Sequence, residues 1–102
     1  MGATDFTAFA AGTDMNEAFR AAREEAAHEH GRSGYSGSVY EKDRAVLIDS
    51  TVGTEMDAST LARDLIRADD PRIRDKWGPA GALPFVTAEG EHHWLFFGYA
   101  SC

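Results

Sequence analysis

Three glycine-bearing segments hold the side chains best suited to binding chemistry. Arg32-Ser-Gly-Tyr-Ser-Gly-Ser38 offers hydroxyls, backbone N–H groups and a guanidinium that together could cradle an anion, and it leads to Lys42 and Arg44. Asp75-Lys-Trp-Gly-Pro-Ala-Gly81 pairs a cation with a large aromatic, and Phe97-Gly-Tyr-Ala-Ser101 closes the last apolar run. Flat aromatics stack on bases or fill a partner's pocket, and a few cations can hold phosphates locally. With the central hairpin beside the last strand, Tyr35, Trp77 and Tyr99 would line one concave patch, with Lys42, Lys76 and Arg74 near its rim. For a phosphorylated ligand the expected wall is Tyr35, Ser36, Ser38, Lys42, Lys76 and Trp77. The bland alternatives are a flexible Gly/Ser connection and a Trp77 that anchors the core under a short helix.

The remaining reactive residue types point nowhere so definite. His28 and His30 diverge by about 200° on a helix, and His92 and His93 face opposite ways in a strand, so neither pair chelates one ion. Gly34-Tyr-Ser-Gly-Ser38 is not the Gly-x-Ser-x-Gly of a nucleophile elbow, and no Gly-x-x-x-x-Gly-Lys-Ser/Thr phosphate loop is present. Glu24-Glu25 and Asp69-Asp70 fit solvated helix surface, with no acid–base partner. The single cysteine, Cys102, is the last residue, which excludes an internal disulfide. No cofactor or metal is expected.

The elements that must position these loops follow from periodicity. A strand is predicted from Asp5 to Ala11, followed by a helix capped by Asp14 whose face of Met15, Ala18, Phe19, Ala22 and Ala26 is apolar and which Gly31 ends. A hairpin is predicted next, with strands at 36–41 and 45–49 and a turn at Lys42-Asp-Arg44. The second helix is expected to start at an Asp57 cap with Met56 and Leu61 as a hydrophobic staple, and to bury Ala58, Leu61, Ala62, Leu65 and Ile66. Pro71 to Trp77 suggests a further turn joining Ile73 to Trp77. Strands at 82–87 and 92–99 form a last hairpin, the second apolar on both faces through Trp94, Leu95, Phe96 and Phe97 and therefore central. The order β-α-β-β-α-β-β predicts a two-layer α+β fold with helices on one face, compatible with a ferredoxin-like layout plus an added C-terminal strand.

At 102 residues with 43% hydrophobic and 26% charged side chains, the chain fits a single domain, 1–102, folding alone or as a homodimer. The net charge of −7, spread along the chain, disfavours direct nucleic-acid binding through a basic face. No apolar run reaches membrane-spanning length and the N-terminus lacks a secretory pattern, so a cytoplasmic protein with no membrane partner is expected.

Gly34-Tyr-Ser-Gly-Ser38 with Glu41-Lys42, Asp70-Pro-Arg72, Asp75-Lys-Trp-Gly-Pro-Ala-Gly81 and Trp94-Leu-Phe-Phe-Gly98 resemble segments of small uncharacterised proteins of actinobacteria and their phages. The resemblance spans most of the chain from the first helix onward. It implies a phage or mobile-element origin and interference with a host, by sequestering a signal molecule or blocking a host protein. The residues favour a non-enzymatic binding protein acting on a protein partner, then a site for a nucleotide-type or other phosphorylated small ligand, then an enzyme.

Overall fold

A computed structural model describes residues 2–30, 37–51 and 53–101, the side chain of His30 excepted. The fold is α+β, with one mixed four-stranded sheet and two α-helices. In chain order these are β1 (Ala3–Ala11), α1 (Met15–His30), β2 (Ala45–Leu47), α2 (Glu55–Arg67), β3 (Ala80–Val86) and β4 (His92–Ser101). The strands lie in the order β1-β4-β3-β2.

β4 is antiparallel to both of its neighbours, and β2 runs parallel to β3. β1, β2 and β3 therefore share one direction, with β4 inserted between β1 and β3. The expectation of a central β4 holds, and its double-sided apolarity has a structural cause. Trp94 and Phe96 join a core with Phe6, Phe19 and Val39, while Leu95 and Phe97 join a second core with Ala62, Ile66, Ile73 and Phe85. Successive β-strand side chains point to opposite faces, so α1 packs on one face of the sheet and α2 on the other. The expected placement of both helices on one face is thereby corrected. From β1 the chain crosses the whole sheet to β2, then returns one position to β3. Two crossovers of the same hand but opposite travel must lie on opposite faces.

α1 forms as its pattern predicts. The Asp14 carboxylate accepts from the Glu17 N–H at 2.9 Å, and Ala18, Phe19, Ala22 and Ala26 are buried. α2 starts earlier than expected. Thr54 is its cap, accepting from the Asp57 N–H, while Asp57 accepts in return from the Thr54 N–H in a capping box. Met56 is consequently on the wet side at 77% exposure and forms no staple.

The predicted hairpin at 36–49 is replaced by one turn of 3-10 helix, Val39–Glu41, and the short β2. Ser38 diverts the backbone, because its hydroxyl accepts from the Tyr40 N–H at 3.3 Å and caps that turn. β2 pairs with β3, which makes β2-α2-β3 a direct parallel crossover in place of the split arrangement. Pro84 lies past the last β2 pair, Leu47 with Ala82, where its missing N–H leaves the β2 ladder intact. Among the described residues no helix is long and apolar enough to cross a membrane.

Candidate functional site

The C-terminal end of α2 builds the first wall of a cleft. The Asp70 N–H donates to the Leu65 carbonyl and the Asp69 N–H to the Ile66 carbonyl, both at 3.1 Å, the bonding pattern of a Schellman cap. Such a cap needs a left-handed residue, and Asp69 takes it with φ of 57° where glycine is usual. The Tyr99 hydroxyl, reaching across from β4, donates to the same Ile66 carbonyl at 2.8 Å. Burial, then the nearby Asp69 and Asp5 carboxylates, push the phenol above its ordinary value of 10.0.

Two aspartates shape the next ten residues. The Asp70 carboxylate accepts from the Arg72 N–H at 2.9 Å and takes both ends of the Arg72 guanidinium at 3.0 Å. These bonds hold the carboxyl below its ordinary value. The turn sends Ile73 into the core at 1% exposure. Asp75 repeats the device, accepting from the Trp77 N–H at 2.9 Å through its side chain and from the Gly78 N–H at 2.9 Å through its carbonyl. Trp77 is thus turned outward at 64% exposure and does not anchor the core.

Lys42 fastens this loop from beneath. Its side chain is 1% exposed, and the ammonium donates to the Asp75 carbonyl at 3.3 Å and the Lys76 carbonyl at 3.0 Å, 5.9 Å from the centre of the Phe6 ring. Desolvation lowers its pKa, opposed by Asp75, Glu41 and Asp43. A lysine so committed cannot serve as a rim cation, and its expected ligand role is corrected. Ser38 is likewise buried and occupied in its cap. Tyr35 and Ser36 lie outside the described residues.

Lys76, Trp77 and Tyr99 are brought together. With Ala3, Asp69, Arg74 and Asp75 they line an open cleft of about 530 Å³ between the β1–β4 end of the sheet and the loop after α2. The Lys76 ammonium stands 5.4 Å from the Trp77 ring centre and donates to the Gly2 carbonyl at 3.4 Å. Two of the three glycine loops therefore converge. Asp69 and Ala3 were missed in the sequence. The signal for Asp69 was its place just past the helix end, where a residue tolerant of positive φ is wanted; nothing local marks Ala3, which arrives by pairing with Ser101.

No protein-family model matches the chain, and no curated protein or solved structure is similar to it.

Proposed function

We propose that the chain is a non-enzymatic cytoplasmic binding protein that docks a protein partner through the cleft around Trp77. The observation that carries this reading is a large aromatic, 64% exposed, on a loop tied down by Asp75 and Lys42. A pre-positioned aromatic costs little ordering entropy on binding, and tryptophan is the residue type most enriched at interface hot spots. Arg74 and Lys76 alternate around it with Asp69 and Asp75, a mixed rim that suits a polar protein surface better than a phosphate. The phosphorylated-ligand reading loses Lys42 and Ser38, both occupied within the fold. The resemblance to phage and actinobacterial proteins makes a host protein the partner to seek.

The test places a photo-crosslinking residue at position 76 and compares capture from a host lysate with and without Trp77→Ala. The expected result is one nuclease-resistant partner, bound at least about 30-fold more weakly by the variant, the effect of losing about 2 kcal/mol at a hot spot. A nucleotide that raises the melting temperature of the native chain but not of Trp77→Ala would overturn the reading.

A further inference from the structure

α2 ends on a residue that its own fold would not choose. Asp69 holds the left-handed position of the cap with φ of 57°, and among the described residues it is the only one besides glycines at positive φ. Glycine fits this place best, whereas a side chain adds strain and a carboxylate also meets the negative end of the helix dipole. Asp5 brings a second negative charge. It pairs with Tyr99 in the β1–β4 ladder, so its side chain stands on the Tyr99 face of the sheet. Neither carboxylate accepts a hydrogen bond or forms an ion pair among the described residues.

The same corner holds what a planar cation needs. Asp69, Tyr99 and Trp77 line one cleft, and the Asp69 and Asp5 carboxylates are the charges that raise the half-buried Tyr99 phenol above its ordinary value. Arg74 and Lys76 share that lining. Lys76 is engaged there, its ammonium bonded to the Gly2 carbonyl and 5.4 Å from the centre of the Trp77 ring, a contact showing that a cation can sit by this exposed aromatic. Among cationic groups a guanidinium suits the rest of the cleft best, because its flat face stacks on aromatic rings while its forked N–H groups meet a carboxylate.

We infer that the partner docked at the Trp77 cleft presents an arginine, its guanidinium stacked on an aromatic wall of the cleft and paired with the Asp69 carboxylate, with Asp5 adding to the field. The inference rests on the reading of the cleft as a protein-docking site and names the side chain which that site selects. Asp69 is then a specificity-determining residue, kept where glycine would serve the helix end better. Arg74 opposes the incoming charge and limits the affinity.

The probes are blocked Ala-Arg-Ala and Ala-citrulline-Ala tripeptides, titrated against the full isotope-labelled chain and followed by NMR at the Trp77 indole N–H and the Asp69 amide. The arginine peptide should bind at least about tenfold more tightly than its neutral citrulline counterpart. Asp69→Asn, which keeps a residue tolerant of positive φ, should weaken it at least about fivefold. Asp69→Gly should weaken it equally while raising the melting temperature by about 2–6 °C, since strain and the dipole penalty are both relieved. Arg74→Ala should bind the arginine peptide more tightly. Equal affinity for the two peptides, native affinity in either Asp69 variant, or weaker binding in Arg74→Ala would overturn the proposal. A fall in melting temperature for Asp69→Gly would make Asp69 a structural cap and overturn it equally. A partner crosslinked at position 76 that is lost with Trp77→Ala but captured at full strength with Asp69→Asn would leave the docking site standing and refute the arginine.

Discussion

Lys42 shows how a buried charge can organise a site without touching a ligand. Its ammonium lies 5.9 Å from the centre of the Phe6 ring and donates to two carbonyls of the Trp77 loop. Lys42→Met keeps most of the volume and removes the donor, so the Lys76 carbonyl loses this bond and the Asp75 carbonyl keeps only the Gly78 N–H. The expected cost is about 1–3 kcal/mol, read as a lower urea midpoint, with greater exchange of the Trp77 amide. The pH signs can be separated. A lysine pKa lowered on folding means that the unfolded chain holds more protons below 10.5, so Lys42 makes stability rise as pH climbs through that window. Tyr99, raised above 10.0, acts in the other direction: its contribution is complete below 10.0 and is lost as pH rises through its folded value. Urea midpoints between pH 8 and 11 should accordingly lose the rise in Lys42→Met and lose the alkaline fall in Tyr99→Phe. Trp77→Ala, in contrast, should leave stability within about 0.5 kcal/mol, because little of the ring is buried.

At the scale of elements, the strand β3 carries a glycine, Gly81, with no room for a side chain. A Cβ at Gly81 would stand 2.7 Å from the Phe97 ring and 2.9 Å from Ile73 Cγ2, both immobile core groups. Gly81→Ala should therefore destabilise by about 1–3 kcal/mol despite alanine's better strand entropy, measurable as a drop in melting temperature. The helices and the last strand were legible in the sequence because their apolar periodicity agrees with their packing. Asp14 with Glu17, and the run Trp94 to Phe97, are cases where local pattern and tertiary demand coincide. The segment before β2 was not legible, since a Ser cap that bends Val39–Glu41 into a turn, with the Glu41 carboxylate accepting from the Gly37 N–H, competes with a strand-like composition and wins. The cleft was half legible: Trp77, Lys76 and Tyr99 stood out by type, but the role of Lys42 depends on contacts 33 and 34 residues away.

The whole molecule rests on one sheet shared by two cores. Phe19 and Phe96 meet edge-on at 5.3 Å on the α1 side, while Leu95 and Phe97 pack with Ile66 on the α2 side. Neither core can come apart without exposing the other face of β3 and β4. Phe19→Ala and Ile66→Ala, on opposite faces, should each cost about 2–5 kcal/mol and each lower a single calorimetric transition. Two resolved transitions in either variant would show that the faces melt independently. The pairing of Ala3 with Ser101 has a different consequence. Because β1 enters and β4 leaves at the same end of the sheet, opposed pulls on the two ends load their shared ladder one rung at a time. Under tension the domain should unzip bond by bond at low force, a mechanically soft protein whose resistance to pulling is far smaller than its resistance to heat.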